Sequence, residues 1–460
     1  MIHLRVLFPI IFLMTLWGCA VLPNINKAVS SLPRDAFPGI IDASGPLDRE
    51  RSASIIRGIA NDKQRTARLL RWMSLEEAVT GQPLVWGNKV TLLKDGPEAF
   101  GAMGAIISGA RKNINLESYI FESDDVGKRF SSLLAEKQAE SVQVNILWDG
   151  VGSFGVTRSL FGGLLERGGR IMKFRPPNPL HIIYLWGLNQ RDHRKILVVD
   201  GKIGFTGGVN ISGVYSGRSG ISKGAGDGDI HNGWRDTHVK IQGPAVKELQ
   251  NLFGQTWEEQ GGERLDETAY FPELKNKGGH LVRVIGSSPE FRKSAIYLAY
   301  LSCIKNARKY IHIGTAYFVP GRRMVKALGE AAMRGIDVKI ILPSFSDARL
   351  VLHAGRSYYG SLLKKGVKIY ERKGAFLHSK TAVVDGIWST VGTANLDYRS
   401  FLHNNEVNVV VYGRDFARDM EHMFQEDLEA SEPVFLKAWK KRPFSDRFME
   451  WMGRLIKYWM

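Results

Sequence analysis

The sequence predicts an α/β fold made of two pseudo-symmetric repeats, because one polar pattern occurs twice with similar elements around it. In both copies a His, a Lys, an Asp, a Gly and an Asn stand at identical spacing: His193, Lys195, Asp200, Gly207 and Asn210, then His378, Lys380, Asp385, Gly392 and Asn395. An apolar run lies between the Lys and the Asp of each copy. One residue separates His from Lys, so both side chains lie on one face of a strand and can act on one ligand.

The same order of elements precedes each copy of the pattern. A helix end running into a strand is followed by a helical stretch and then by a second apolar strand. The corresponding segments are Ala110 to Leu116 with Ala307 to Ile313, Tyr119 to Phe121 with Tyr317 to Val319, and Val142 to Leu147 with Val338 to Leu342. Strands that alternate with helices predict βαβ units with right-handed crossovers. The repeats are therefore placed at residues 85–262 and 280–430.

A carboxylate follows each copy of the pattern on a further strand. Asp236, within Trp234 to Val239, aligns with Glu406, within Asn404 to Val409. The first half has the longer connection, and its extra residues fall in the Gly- and Ser-rich segment Ser212 to Gly233. This composition predicts a mobile loop beside the site.

These residue types suit cleavage of a phosphodiester without a metal. That reaction needs a nucleophile, a proton donor for the leaving alkoxide and fixed positive charge around the phosphoryl oxygens. Imidazole is nucleophilic when neutral and acidic when protonated, so His193 and His378 can fill both roles. Asp236 and Glu406 are the candidates to hold the second ring nitrogen of each histidine. No Cys or His cluster has metal-ligand spacing, and we expect no cofactor.

The repeated pattern resembles the signature of the phospholipase D superfamily, which also occurs in two copies. This resemblance implies two phospholipase D-like halves, each a mixed sheet flanked by helices, that share one active site. It further implies that Lys195, Lys380, Asn210 and Asn395 serve catalysis, that His193 forms a phosphohistidine and that His378 protonates the leaving group. Asp200 and Asp385 would act in supporting positions. An ordinary Asp-Gly turn after a buried strand explains these two residues equally well. Thr393 has no counterpart hydroxyl in the first half, so any hydroxyl contribution to phosphate binding would be one-sided.

Residues 78–445 are similar to bacterial cardiolipin synthases. The segments that carry the resemblance are Thr80 to Leu84, Gly87-Asn88, Leu93 with Asp95-Gly96, Asn189 to Lys195, Tyr317 to Pro320 and Asn395 to Phe401. The resemblance implies a phosphatidyltransferase that makes cardiolipin from phosphatidylglycerol. The alternatives are phospholipase D hydrolysis, with water as acceptor, and a phosphodiesterase acting on DNA. The apolar segment Ile182 to Trp186 fits either acyl chains or a core strand.

Charge and the C-terminal tail both favour an anionic partner. Lys and Arg number 63 against 46 Asp and Glu, a formal net charge of +17, which is typical of proteins that bind nucleic acid or acidic lipid. Residues 431–460 predict a basic amphipathic tail in which Ser445 caps a helix bearing Phe448, Trp451, Met452, Leu455, Ile456 and Trp459 on one face. Such a helix is either an interfacial anchor or packed on the protein's own core. We expect an anionic phospholipid membrane and no nucleic acid as partner.

The N-terminal region predicts attachment to a bacterial cell envelope. The apolar run Val6 to Trp17 is too short to span a bilayer and is typical of a signal peptide, here residues 1–19. Leu16-Trp17-Gly18-Cys19 resembles a lipobox, which predicts lipidation of Cys19. Residues 20–84 are expected to form a tether that ends in a helix, Ser54 to Met73. Cys303 is expected to be a buried apolar residue, and the protein a monomer.

Overall fold

A computed structural model describes residues 22–33, 35–177, 189–217, 233–291 and 294–459. The first half contains strands β1 (Leu84–Leu93), β2 (Asn113–Ser118), β3 (Gln143–Asp149), β4 (Arg170–Phe174), β5 (Ile196–Val199), β6 (Ile203–Gly207) and β7 (His238–Gln242). The second half contains β8 (His280–Ser287), β9 (Tyr310–Thr315), β10 (Asp337–Pro343), β11 (Lys368–Arg372), β12 (Lys380–Val384), β13 (Trp388–Gly392) and β14 (Glu406–Tyr412).

The strands of the two halves are arranged in the same order. The first sheet runs β4-β3-β2-β5-β6-β7-β1, with parallel pairs at β4-β3-β2 and antiparallel pairs from β2 onwards. The second sheet runs β11-β10-β9-β12-β13-β14-β8 with the same directions. Antiparallel pairing of β1 with β8 joins them. The structure therefore confirms the two-repeat α/β fold with mixed sheets.

Helices pack on both sheets, and the buried apolar residues of helices and strands form three main clusters. The longer helices are α1 (Arg49–Ala60), α2 (Lys63–Thr80), α3 (Gly96–Ser108), α4 (Asp125–Ala139), α5 (Val246–Glu259), α6 (Ala295–Asn306), α7 (Gly321–Met333), α8 (Arg349–Arg356), α9 (Arg414–Glu429) and α10 (Phe444–Ile456). One cluster joins α3 and α4 to the first sheet, and a second joins α2, α6 and α7 to the second sheet. The third contains valines of both sheets with α5 and α9, so burial of apolar surface holds the halves together.

The Asp-Gly pairs of the pattern form tight hairpin turns. Asp200 and Gly201 have φ of 53° and 61°, and Asp385 and Gly386 have 56° and 68°, so each pair forms the two central residues of a tight β-turn between antiparallel strands. The motif glycines have a different role. A Cβ atom on Gly392 would lie 2.2 Å from Asn408 Oδ1, so only glycine lets β13 and β14 approach each other at this point.

The prediction of a tether ending in one helix is wrong for the described residues of this region. Two helices, α1 and α2, replace the expected Ser54 to Met73 helix, because Asn61 adopts a left-handed conformation (φ 62°) and Asp62 caps the second helix. Trp72 and Met73 are buried against the second half, and Glu76 accepts hydrogen bonds from Tyr412 and Trp388. The segment is an integral part of the second half's core.

Several expectations concern residues outside the described ranges. These are the signal peptide with Cys19, the Ile182 to Trp186 segment and most of the Ser212 to Gly233 loop. Cys303 is buried in α6, which confirms its expected apolar environment. Among the residues that the structure describes, no helix combines the length and the apolar character needed to span a bilayer.

Candidate active site

The two motifs come together because each one is hydrogen-bonded to the carboxylate-bearing segment of the opposite half. The main-chain N–H of His193 donates to Asn405 O at 2.9 Å, and that of His378 donates to Arg235 O at 2.8 Å. Short parallel bridges beside these bonds join Asp192 to Asn405 and Phe376–Leu377 to Trp234–Arg235. Each motif strand therefore begins beside the carboxylate-bearing strand of the other half.

As a result, each histidine is held by the carboxylate of the opposite repeat. His193 Nδ1 lies 3.1 and 3.0 Å from the two carboxylate oxygens of Glu406. His378 Nδ1 lies 2.6 Å from Asp236 Oδ2. A carboxylate on Nδ1 stabilises the tautomer with the proton on that nitrogen and leaves Nε2 for chemistry. The ring nitrogens that do not face a carboxylate are thus Nε2 of His193 and Nε2 of His378.

The motif lysines place a buried amine next to each ring. Lys195 Nζ donates to His193 O at 2.7 Å and lies 5.1 Å from the centroid of the Tyr119 ring. Lys380 Nζ lies 3.0 Å from His378 Nδ1 and 4.0 Å from Asp236 Oδ2. Both amines are buried, so their electrostatic effect on a bound phosphate would be larger than in water.

The two motif asparagines have different surroundings. Asn210 Oδ1 accepts from Ile120 N at 3.0 Å, and its Nδ2 donates to Tyr215 OH at 2.8 Å. Asn395 Oδ1 is buried and has no hydrogen-bond partner within the described part of the chain. Asn210 therefore holds the strand ends of the first half together, whereas the Asn395 amide keeps capacity for a further contact.

Asp200 and Asp385 bind the main chain rather than the histidines. Asp200 accepts from the N–H groups of residues 111, 112 and 113 at 2.7 to 3.1 Å. Asp385 accepts from those of residues 308, 309 and 310 at 2.7 to 3.0 Å. Each carboxylate ties its hairpin turn to the start of the neighbouring strand, β2 or β9. These contacts support a structural role.

The second motif has a hydroxyl, that of Thr393, where the first motif has none, and the reason for this difference is steric. Thr393 Oγ1 donates to the Glu406 carboxylate, so this hydroxyl helps to hold the carboxylate beside His193. Gly208 stands at the equivalent place in the first half. A Cβ atom there would lie 2.0 Å from Asp236 Oδ1. The shorter carboxylate occupies the space that a side chain would need.

Burial strongly favours the neutral form of both histidines. Their exposed fractions are 8% and 4%, and burial lowers the pKa of each to about 4, against the raising effect of Glu406 and Asp236. Burial also lowers the pKa of Lys195 to about 7. Although burial alone would raise it, the charge and hydrogen bond of His193 bring the pKa of Glu406 to about 2. The carboxylates are ionised beside neutral imidazoles at neutral pH.

Sequence reasoning missed the aromatic walls that cause this desolvation. The Tyr119 ring lies 4.8 Å from the His193 ring, and the rings of Trp234, Tyr215 and Tyr317 lie 4.7, 5.9 and 6.2 Å from the His378 ring. Tyr119 and Tyr317 stood at the echoed strand ends, which was a usable signal. The two tyrosines are nevertheless not structurally equivalent. Phe121 pairs with Ile211, and Phe318 pairs with Leu396, the equivalent residue of the second motif. Phe318 therefore corresponds to Phe121, and Tyr317 corresponds to Ile120.

A second residue that the sequence analysis missed is Arg194. It stands between the motif His and Lys, and its side chain points away from the site. Its guanidinium donates to Glu406 O at 3.3 Å, Thr256 Oγ1 at 3.0 Å and Ser287 O at 3.4 Å. Arg194 thus links the first motif to the strand of the opposite half that carries Glu406. Its place inside the motif and its position on the opposite strand face were visible in the sequence, but its partners were not.

The fold and the paired His-Lys motifs define a phospholipase D-like protein. A family profile described as "Cardiolipin synthase, PLD-like domain" matches residues 300–428. The chain is 37% identical over 377 residues to a cardiolipin synthase of Alkalihalophilus pseudofirmus, covering 81% of this chain and 73% of the relative. It is 36% identical over 378 residues to that of Listeria innocua, covering 82% and 76%. The chain therefore belongs to the cardiolipin synthase family of phospholipase D-type phosphatidyltransferases.

A solved structure shows the same fold at low sequence identity. Phosphatidylserine synthase of Haemophilus influenzae matches with a TM-score of 0.58 and 14% identity, covering 84% of this chain and 98% of that chain. The two-repeat architecture thus recurs in a structure with little sequence similarity.

Proposed function

We propose that this protein makes cardiolipin from two molecules of phosphatidylglycerol through a phosphohistidine on His193. The observation that carries the proposal is the crossed pairing, in which the carboxylate of each half fixes the histidine of the other beside a buried lysine. Two oriented imidazoles with adjacent ammonium groups match a two-step displacement at phosphorus. Family membership supports the choice of lipid.

In the first step, His193 Nε2 attacks the phosphorus of phosphatidylglycerol. The bond from phosphorus to the headgroup glycerol oxygen breaks, and His378 Nε2 gives its proton to that oxygen, so glycerol leaves. Lys195 and Lys380, whose charges act on both histidines, would hold the phosphoryl oxygens, and the Nδ2 group of Asn395 would donate to them as well. Positive charge that develops on His193 is stabilised by Glu406.

His378 must be protonated for this step, although burial holds its pKa at about 4 without substrate. A bound phosphodiester brings a negative charge next to the ring, and an opposite charge at that distance favours the imidazolium. Substrate binding thus supplies the condition that the general acid requires. The same charge favours the ammonium form of Lys195.

In the second step, a headgroup hydroxyl of another phosphatidylglycerol attacks the phosphohistidine. His378 takes the hydroxyl proton, the bond from phosphorus to His193 breaks, and cardiolipin leaves. The exposed fractions of His193 and His378, 8% and 4%, indicate a site that is largely closed to bulk water. This closure favours an alcohol over water as acceptor.

The test is incubation of the purified protein with phosphatidylglycerol vesicles, followed by lipid mass spectrometry. Cardiolipin and glycerol should form in equal amounts, with and without EDTA. His193→Asn and His378→Asn should each abolish formation, whereas His422→Asn, at an exposed histidine of α9, serves as the matched control. Phosphatidic acid as the sole product, or DNA cleavage at a comparable rate, would overturn the assignment.

The order of the histidines has its own test. With a phosphorus-labelled lipid whose headgroup is a phenolate that leaves without protonation, His378→Asn should retain acid-labile label on His193, because the first displacement then needs no general acid and the second lacks its general base. Label on His378 in the His193→Asn protein would reverse the roles.

We further propose that the protein acts as a monomer at a bacterial envelope membrane, anchored through a lipid on Cys19. One chain supplies both motifs and both carboxylates, which supports a monomer. The Leu16 to Cys19 sequence supports the anchor. Cys19→Ala should move the protein from the membrane to the supernatant on fractionation and leave activity in detergent micelles unchanged. Light scattering of the detergent-solubilised protein should report one chain per particle.

A further inference from the structure

The C-terminal helix α10 packs on the protein through one narrow face. A Cβ atom on Gly453 would lie 2.8 Å from Ala354 N, so the backbones of α10 and α8 are in direct contact. Glu450 lies on the same face, is buried and pairs with Arg442 at 2.6 Å. The helix is therefore attached through the face that carries Glu450 and Gly453, and its opposite face points away from the protein.

The outward surface is apolar. Phe444, Phe448, Trp451 and Leu455, which we call the apolar stripe, follow at intervals of one helical turn and are exposed by 80%, 48%, 53% and 54%. The Phe448 and Trp451 rings lie 5.9 Å apart and form a continuous surface. A soluble protein rarely leaves such a stripe facing water unless it binds something.

Most exposed large apolar side chains of the described residues lie either in this region or beside the active site. Phe435 precedes the stripe, and Met449 and Met452 flank it. Phe154, 80% exposed, lies in the loop after β3, where Gly152 contacts Tyr119, the neighbour of His193. Val151 is in the same loop, and Val214 adjoins Tyr215, the neighbour of His378. Only Met333 lies elsewhere, at the end of α7.

The helix α10 and the residues after it contact segments that lead to site residues. The helix α8 follows Asp347, which accepts from Tyr317 OH at 2.6 Å, and the Tyr317 ring contacts His378. Beyond α10, the Tyr458 ring lies 6.3 Å from Tyr398, in the short helix between Asn395 and Glu406. Through α8 and through its own following turn, α10 is thus connected to the segments that carry Tyr317 and Asn395.

Basic residues border the apolar stripe and indicate which kind of partner it binds. Arg447 and Arg454 are exposed on α10 itself, and Lys437, Lys440 and Lys441 are exposed on the segment before it. The acidic Glu450 is neutralised by Arg442. A second copy of this strongly basic chain would be repelled, and an apolar stripe does not match a nucleic-acid backbone. An apolar face with a basic border fits the surface of an anionic bilayer.

We propose that the apolar stripe and its basic border form a docking surface for anionic phospholipid bilayers, which places the active-site mouth against the lipid headgroups. The choice of an anionic bilayer is consistent with the proposed function, but the surface is tested independently of catalysis. Phe448, Trp451 and Leu455 enter the acyl boundary, while the lysines and arginines contact headgroup phosphates. A separate anchor at Cys19 would add to this attachment without orienting the site.

The first test is quenching of tryptophan fluorescence by phospholipids with brominated acyl chains, using the full chain and phosphatidylglycerol-containing vesicles. Quenching should fall in Trp451→Phe relative to the wild type and stay at the wild-type level in Trp439→Phe. Trp439 is the matched control, since its half-buried ring packs on Tyr359 at 4.9 Å in the same tail. Equal quenching in Trp451→Phe and the wild type would overturn the docking surface. Because residues 1–19 are the same in the variants and the wild type, any quenching that arises there is common to all of them.

The second test separates docking from catalysis. Phe448→Gln/Leu455→Gln should raise the KM for vesicle phosphatidylglycerol by roughly tenfold or more, because two apolar side chains leave the bilayer. It should leave turnover of monomeric short-chain phosphatidylglycerol unchanged, and Met333→Gln should change neither. An unchanged vesicle KM, or a dimer that this double variant dissociates, refutes the surface. Trp451 quenching without cardiolipin formation would instead refute the proposed reaction and leave the surface standing.

Discussion

Replacement of Glu406 by Gln tests the crossed architecture most directly. The change keeps the size of the side chain and removes the charge that faces His193 Nδ1 at 3.0 Å. Glu406 is fully buried, so no water can take over the role of its carboxylate. We expect the first displacement to become slow, because positive charge develops on His193 as its Nε2 attacks phosphorus.

The size of the effect follows from the electrostatics of the pair. Burial tends to raise the pKa of Glu406, yet His193, Thr393 and Lys195 lower it from 4.5 to about 2. The difference corresponds to about 3 kcal/mol of interaction that favours the ionised carboxylate, or on the order of 10²-fold in rate if the attack loses all of it. An amide can also hold the wrong imidazole tautomer, which extends the expected loss of kcat to about 10⁴-fold.

The assay is single-turnover formation of phosphohistidine, followed by release of cardiolipin. Glu406→Gln should slow the first event, and Asp236→Asn, which disturbs His378, should slow it too, because protonation of the leaving glycerol is impaired. The matched control is Glu421→Gln. Glu421 holds His312 Nδ1 at 2.9 Å in a similar pair outside the site, so its loss should leave kcat unchanged.

Two results would refute the reasoning. One is a kcat of Glu406→Gln within about twofold of the wild type, because a neutral partner would then serve as well as a carboxylate. The other is a loss in Glu421→Gln as large as that in Glu406→Gln, which would show a general effect of buried charge on folding. Thermal unfolding of each variant separates the second case from catalysis.

Three further predictions concern stability, pH and steric fit. Asp385→Asn should lower the free energy of unfolding by about 1–3 kcal/mol in denaturant titrations and leave kcat within twofold, since its carboxylate binds three main-chain N–H groups. With folded pKa values of about 4, His193 and His378 bind fewer protons than in the unfolded chain, so stability should fall as pH drops from about 6.5 to 4, with a shallower slope in the doubly His→Asn protein. Gly208→Ala should remain folded by circular dichroism but lose at least about 10²-fold in kcat, because the new methyl group displaces the Asp236 carboxylate; full activity would show that the carboxylate has room to move.

Much of the fold was predictable because it depends on local patterns. Apolar runs of strand length around the two motifs predicted β5 and β12, and the Asp-Gly pairs predicted the tight turns that follow them. The N-terminal region was harder to predict. Nothing in the periodicity of α1 and α2 shows that Trp72 packs on the second half, since an amphipathic helix looks the same whichever surface it covers.

For the site, the sequence by itself determined which residues are the candidates, since only a repeat of His, Lys and Asn at fixed spacing was needed to recognise them. The tertiary structure decided their partners: Glu406 serves His193 and Asp236 serves His378, each across the boundary between the halves. Spacing along a chain reports which side chains share a strand face, but it carries no information on which distant strand ends meet. That choice depends on how the two sheets join at β1 and β8 and on the apolar surface buried between them.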